Sequence, residues 1–353
     1  MARTTAPDLY GFVVAVCGAV GVPPGDGEVI ASALVDTDLR GVASHGCVRL
    51  PAYARALARG IINPAPQPTR VNGGTVSEVL DGDNGLGLVL GHRAMTRAVE
   101  LAQGTGVGAV GVRNGNHTGM LAAHLTPATD ARMIGYMTSN APAIMAPWGG
   151  RDPLLSNAPF AYGIPTRGDP LVLDMAASAT NRGRIRFYAQ SGKELPAGWA
   201  LDEEGQETVD PFAALRGVVL PMGGHKGYGL AVVNEILAGA LTGALLAVDM
   251  PRDFLKEGSQ VMDSWRSGLL AVAFDIATFA KIDDFLDWVE ALIKQLRSSR
   301  PAPGSTAVLL PGDPERKAKS RQLAEGIQLQ EATVLSLNEL AEELGVTPLA
   351  AQG

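Results

Sequence analysis

Apolar residues recur at three- and four-residue intervals through residues 9–20, 27–39 and 48–59, the spacing of helices that bury one face. Pro23-Pro24-Gly25 and Gly41-Val42-Ala43-Ser44 punctuate these runs, so the pattern predicts a small head of three helices. The Pro-rich stretch 63–68 comes next. Proline removes an amide donor and keeps the preceding residue out of the helical region, which predicts an extended linker and a domain boundary near residue 70.

Beyond that boundary the period changes. Strand-like runs at 75–80, 107–112, 134–139, 170–173 and 269–275 alternate with helical spacing at 88–103, 120–130, 227–241 and 283–297. Such alternation predicts an α/β layout. After Pro301-Ala302-Pro303-Gly304 the pattern predicts a strand at 307–310 and helices at 314–325 and 337–344.

Composition narrows the function classes. The chain has 353 residues, 46% of them apolar and only 18% charged, with 43 glycines, so much surface is expected to be buried, some of it between subunits of an oligomer. A formal charge of −7 without a basic stripe argues against nucleic acid as a partner. Two cysteines are too few for a disulfide framework, the N-terminus lacks a targeting pattern, and residues 12–22 are too short to span a bilayer. A cytoplasmic protein without membrane partners is expected.

The candidate chemistry begins at Ser44-His45-Gly46-Cys47-Val48-Arg49-Leu50-Pro51. If the helix starts at His45, Arg49 stands at i+4 on the same face, and imidazole and guanidinium reach one ligand together. A planar guanidinium fits a carboxylate bidentately, and histidine exchanges protons near neutral pH, a pairing suited to a small 2-oxo or 2-hydroxy acid. Gly85-Leu86-Gly87-Leu88-Val89-Leu90-Gly91 looks like a dinucleotide loop, but its third glycine comes one position late for a Rossmann fingerprint, which favours tight packing instead. His117, in Asn114-Gly115-Asn116-His117-Thr118-Gly119, follows a strand and is either a ligand residue or a helix cap. Asp174 is either an N-cap or a ribose acceptor, and Arg182, Arg184 and Arg186 either hold a phosphate or form a solvated helix face. Lys226, in a glycine-dense turn ahead of a helix, is placed to contact an anion. His92 and His124 read as packing residues. His45, His117 and His225 lack any paired metal-ligand spacing, so no metal is expected.

In their shared order, Leu39-Arg40-Gly41, Ser44-His45-Gly46, Arg49-Leu50-Pro51, Asn116-His117, Ala146-Pro147-Trp148-Gly149-Gly150, Leu173-Asp174-Met175-Ala176, residues 195–202, Lys226-Gly227-Tyr228-Gly229-Leu230 and Pro311-Gly312-Asp313 form a pattern along nearly the whole chain. It resembles the malate/L-lactate dehydrogenase family of the non-Rossmann type, which includes sulfolactate and ureidoglycolate dehydrogenases and cyclic imino-acid reductases. The resemblance implies a mixed sheet flanked by helices, unlike a Rossmann domain, that binds NAD or NADP over residues 70–299. It further implies a helical substrate and dimerisation domain built from residues 1–69 with 300–353. Ser44 and His45 would form the proton relay, with His117 as the competing base, and Arg49 would clamp the substrate carboxylate. Cofactor contacts would come from His117, Thr118, Gly119, Met120, Leu121, Asp174, Met175, Ala176, Arg182, Lys226, Gly312 and Arg316. Asn157 stands where many members carry a substrate-contacting threonine, Thr118 replaces a common aromatic, and Asp313 replaces glutamate. The implied activity is hydride transfer between nicotinamide and C2 of a small 2-oxo or 2-hydroxy acid. A cyclic imino-acid reductase and a non-catalytic small-acid binding protein are the alternatives.

Overall fold

The N-terminal helices form as α1 (Ala6–Ala19), α2 (Pro24–Leu39) and α3 (Leu50–Ala58), preceded by a short strand, β1 (Ala2–Thr4), in a computed structural model that describes residues 2–252 and 264–351. Thr5 caps α1 by accepting the Asp8 amide at 3.1 Å, and a proline sits in the first turn of each of the three helices, where its missing donor costs nothing.

At Thr69 the chain enters a seven-stranded sheet. Its first part runs β2 (Thr69–Gly73), β3 (Ser77–Asp81), α4 (Gly87–Ala102), β4 (Val107–Gly115), α5 (Thr126–Asp130), β5 (Met133–Ser139), β6 (Phe160–Ile164) and β7 (Leu171–Met175). A peripheral excursion follows through α6 (Arg182–Gln190), β8 (Ala200–Leu201), α7 (Pro211–Arg216), β9 (Val218–Val219) and α8 (His225–Glu235). The chain then returns to the sheet with β10 (Ser267–Asp275) before α9 (Ile282–Arg297). The strand order is β2-β3-β4-β10-β5-β6-β7. Only β3 and β4, joined through α4, are parallel, so the sheet is mixed and unlike an all-parallel Rossmann sheet. Helix α4 lays Leu90, Met95 and Ala98 over Val110 and Val112 of β4 and Leu269 and Ala271 of β10. The glycine run at its start serves this packing: a Cβ on Gly87 would lie 2.1 Å from the Asn116 carbonyl oxygen.

The chain ends with α10 (Asp313–Glu325), β11 (Ile327–Leu329) and α11 (Glu331–Leu344), which return to the beginning. Strand β11 pairs antiparallel with β1, Lys319 Nζ meets Asp36 at 2.6 Å, and Gln322 Nε2 donates to the carbonyls of Asp38 at 2.6 Å and Leu39 at 3.1 Å. Leu9, Leu34 and Tyr53 share one apolar cluster with Ile327 and Leu340, and each fully buried side chain of this size contributes about 1.5–3 kcal/mol. The cluster also takes in Leu86, Leu88 and Val89, so packing is continuous across residue 70.

Some predicted elements change form. The expected helix at 120–130 divides into a 3₁₀ turn, Leu121–His124, and α5, because Pro127 opens a fresh helix. The helix expected at 227–241 starts at His225 and ends in a π turn, Ile236–Ala240. The strand expected at 307–310 is absent: the segment is irregular, is stopped by Pro311, pairs with no strand, and leaves Leu309 63% exposed. Among the described residues no helix is long and apolar enough to cross a membrane.

Candidate active site

One cleft of about 1250 Å³ opens where the approach to α3, the loop after β4, the end of β7, the first turns of α6 and the loop before α10 converge. Ser44, His45, Arg49, His117, Thr118, Gly119, Met120, Asn157, Asp174, Met175, Ala176, Arg182 and Gly312 all line it. These residues come from six separate stretches of sequence.

The expected helical start at His45 is not what brings His45 and Arg49 together. His45 lies in a bend, a 3₁₀ turn follows over Cys47–Arg49, and α3 begins only at Leu50. The buried carboxylate of Asp38 sets this geometry. Its Oδ2 accepts the Cys47 amide at 2.8 Å, and a Cβ on Gly46 would lie 2.0 Å from Oδ1. Only glycine fits there, so the chain turns at Gly46 and the histidine swings inward. Arg49 folds back to donate from Nε to the Ser44 carbonyl at 2.7 Å, which leaves its two terminal nitrogens for a ligand.

Ser44 Oγ stands 2.8 Å from His45 Nδ1, and the His45 and His117 rings stack with centroids 5.6 Å apart. Burial lowers His45 to about 4, helped by the positive charge of Arg49, so the ring is a neutral imidazole at physiological pH. His117 is held well below the ordinary imidazole range by burial first, then by His45 and Arg49. Tyr53 OH lies 2.5 Å from His117 Nδ1, and burial raises the phenol's pKa, which keeps its proton available for that nitrogen. The edge of Trp265 closes on the other side of His117 at 5.2 Å. His124 is buried as a packing residue and also holds this loop, its Nε2 lying 2.8 Å from the Thr118 carbonyl.

Asp174 at the end of β7 accepts the Ala122 amide of the 3₁₀ turn at 2.7 Å while also lining the cleft. Burial raises it to about 6 against the opposing pull of that amide and of Arg40. Gly312, at φ +85°, brings its loop against β7; a Cβ there would lie 3.0 Å from the Val172 carbonyl oxygen. Arg182 enters the cleft from α6, which Asn181 caps at 2.8 Å, and burial and then Arg186 lower it to about 10. Arg186 also lines the cleft, whereas Arg184 turns away to stack 4.9 Å over Trp199.

Three expected contacts lie elsewhere. The Leu121 side chain is buried in the core beneath the sheet, and its backbone amide faces Asp174. Lys226 is exposed on the first turn of α8 and does not line the cleft, because the Gly223-Gly224 turn directs it to solvent. Arg316 is held by Asp313 within α10 and is likewise outside the lining. Tyr53 and Trp265 were not anticipated. Tyr53 stands four residues after Arg49, and that spacing alone could have found it; Trp265 carries no local signal.

The profile of the malate/L-lactate dehydrogenase family matches residues 4–338. The chain is 37% identical over 332 residues to (2R)-3-sulfolactate dehydrogenase (NADP(+)) from Chromohalobacter salexigens, an alignment covering 94% of this chain and 95% of that protein. It is 34% identical over 355 residues to malate dehydrogenase from Pyrococcus horikoshii, covering 98% of this chain and 97% of that one. The fold superposes on sulfolactate dehydrogenase from Methanocaldococcus jannaschii with a TM-score of 0.91 at 34% identity, over 98% of both chains.

Proposed function

This chain belongs to the malate/L-lactate dehydrogenase family and is an oxidoreductase, and from that premise we propose that it moves a hydride between nicotinamide and C2 of a small 2-oxo or 2-hydroxy acid. One observation carries the reading: two neutral imidazoles and the terminal nitrogens of Arg49 face a single cleft. NAD or NADP supplies or takes up the hydride when bound.

The residues present fit such a cofactor. Arg182 Nε is buried without a hydrogen-bond partner among the described residues, and a phosphate oxygen would satisfy it. Asp174 offers a buried acceptor for ribose hydroxyls, and Thr118, Gly119, Met120, Met175, Ala176 and Gly312 line the same wall.

Arg49 holds the substrate carboxylate with both terminal nitrogens. His45 moves the proton at its Nε2, because Nδ1 is engaged by Ser44. The neutral ring is in the form that accepts a proton when a hydroxy acid is oxidised. In the reductive direction the bound carboxylate offsets Arg49 and raises the ring toward protonation. Tyr53 positions His117 beside it, and Asn157 is assigned to the substrate from the cleft wall.

We also assign the substrate and dimerisation role to residues 1–69 with 300–353, and cofactor binding to 70–299. A homodimer is supported by the exposed apolar residues Val48, Leu309, Leu323 and Leu335 of the first of these units, and a cytoplasmic setting by the two free buried cysteines. The deciding experiment follows NADH and NADPH absorbance with pyruvate, oxaloacetate, sulfopyruvate, oxalurate and cyclic imines. Consumption of either cofactor with a 2-oxo acid is expected. Turnover of cyclic imines alone would move the assignment to an imino-acid reductase, and cofactor binding without turnover would leave a small-acid binding protein.

A further inference from the structure

Of Ser156, Asn157 and Ala158, only Asn157 lines the cleft; its two neighbours are buried. The Asn157 carbonyl is taken by the Ala177 amide at 2.9 Å, whereas its side-chain amide forms no hydrogen bond among the described residues. Ala158 takes φ +44°, a conformation that a residue with a Cβ keeps only when its surroundings hold it there. What holds it lies behind the cleft wall, on α8.

The last two residues of α8 grip this turn on both sides of Asn157. Asn234 Nδ2 donates to the Ala158 carbonyl at 3.2 Å, and the Tyr136 hydroxyl orients that amide by donating to Asn234 Oδ1 at 3.2 Å. Glu235 Oε2 accepts the Ser156 hydroxyl at 3.5 Å, and Ser156 Oγ in turn accepts the Ala158 amide at 3.0 Å. The other carboxylate oxygen, Oε1, is anchored away from the turn by Asn140 Nδ2 at 3.0 Å and the Ala247 amide at 2.8 Å. Asn234 and Glu235 are only 5% and 8% exposed. Burial raises the Glu235 pKa, and its three donors pull against that shift. The π turn Ile236–Ala240 begins at the next residue, and Gly239 within it leaves the anchor room: a Cβ there would lie 2.9 Å from Asn140 Nδ2 and 3.4 Å from Glu235 Oε1. Apolar side chains would suffice to hold a helix against a sheet. A buried amide and a buried acid, side by side and both joined to one strained turn, serve the direction of that turn.

We propose that Asn234 and Glu235 are positioning residues that bracket Asn157 and aim its side-chain amide at the substrate. The inference rests on the dehydrogenase reading and deepens it, giving the substrate contact of Asn157 a support that reaches it through Ser156 and Ala158.

The test measures kcat and KM for the 2-oxo acid that the wild type reduces fastest, and KM for NADH and NADPH, in Asn234→Ala, Glu235→Gln and Ser156→Ala, each alone and combined with Asn157→Ala. Glu235→Gln keeps the reach of the side chain and the acceptor at Oε1, but turns an NH2 group onto the Ser156 hydroxyl. Asn234→Ala should raise the KM for the acid by about tenfold and Glu235→Gln by about threefold, on the scale of one lost or misplaced hydrogen bond, with KM for the cofactor moving by less than about twofold. In the Asn157→Ala background the same substitutions should change nothing further, because the group they aim is gone. Losses that add in full to that of Asn157→Ala overturn the proposal and leave the end of α8 as a brace of the fold, and so does a cofactor KM that rises in step with that of the acid. Wild-type kinetics in Asn157→Ala overturn it too. Ser156→Ala, which deletes a single hydroxyl from the turn itself, carries the same expectation as Glu235→Gln and decides the matter if the α8 variants do not fold. Absence of turnover by the wild type on every acid would sink the dehydrogenase reading and this one with it, whereas turnover with additive losses sinks only the positioning role.

Discussion

Residues 44–49 and 223–229 each combine a histidine, a cation and glycine where a helix begins, yet the first turns His45 and Arg49 into the cleft and the second leaves Lys226 in solvent. The residue types are nearly the same, so the difference lies in what each glycine touches. Gly46 presses on the buried carboxylate of Asp38, and Arg49 is tied to the Ser44 carbonyl, so the turn has one direction available to it. Gly224 backs onto the ring of Trp148, which is itself 58% exposed. A motif becomes a site when a buried partner dictates which way it faces.

The most severe break in that contrast should come from His45→Gln. Loss of the proton-transfer group is expected to lower kcat by about 10²–10⁴-fold with cofactor binding retained, and His117→Gln should cost less. Steady-state rates for both variants decide the matter; the reverse order would hand the proton to His117. Arg49→Lys comes next, at about 10- to 100-fold in kcat/KM, because a point charge loses the bidentate fit and the anchor on Ser44. Near-normal kcat/KM in this variant would remove Arg49 from the carboxylate.

A pH profile sharpens the same comparison more gently. His45 is lowered to about 4, so in the free enzyme the basic form persists well below the ordinary imidazole range. The kcat/KM for hydroxy-acid oxidation should then hold level on acidification through about 6.5 and fall only toward the lower value. An inflection near the ordinary value would mean an imidazole open to water. Stability follows from the same shift. Unfolding restores His45 to its ordinary value of 6.5, the unfolded chain binds the extra proton, and this group's contribution is complete above 6.5 and lost as pH falls toward about 4. Asp174, raised to about 6 from 3.8, acts in the opposite sense, losing its contribution as pH rises through that window. The smallest effect is expected from Lys226→Ala, at most about threefold in cofactor KM, on the scale of an exposed charge. A tenfold rise would bring the 223–229 segment onto the cofactor in the working enzyme.

These contrasts explain which parts could be read from the sequence. The α/β alternation was legible because β4, β5 and β10 are long, apolar and buried, and α4 carries a clear stripe of Leu90, Met95 and Ala98. Strands β1 and β11 were not, since three residues pair across the length of the chain and no local period marks them. Strand β2 is fully exposed and lacks the alternation that betrays a half-buried strand. Within the site, Ser44, His45, Arg49, His117 and Asp174 stood out by residue type and by resemblance to a family. Asp38 did not, because an acid in the last turn of an apolar helix carries no sign that it will be buried and raised to about 6. Lys226 had every local credential of an anion contact, and direction is a tertiary property that spacing does not encode.

The contact of Gln322 with the Asp38 carbonyl joins two segments made at very different times. These residues are 284 positions apart, so at about 5–20 residues per second the ribosome takes roughly a quarter of a minute to a minute between them. During that interval the nascent chain has made Asp38, Gly46 and His45 but not the α10 side chain that holds the last carbonyls of α2. The backbone at the end of α2, which carries the Asp38 carboxylate, therefore gains these two hydrogen bonds only after Gln322 is made, and a chain truncated before Gln322 would carry the histidine and the arginine without that brace.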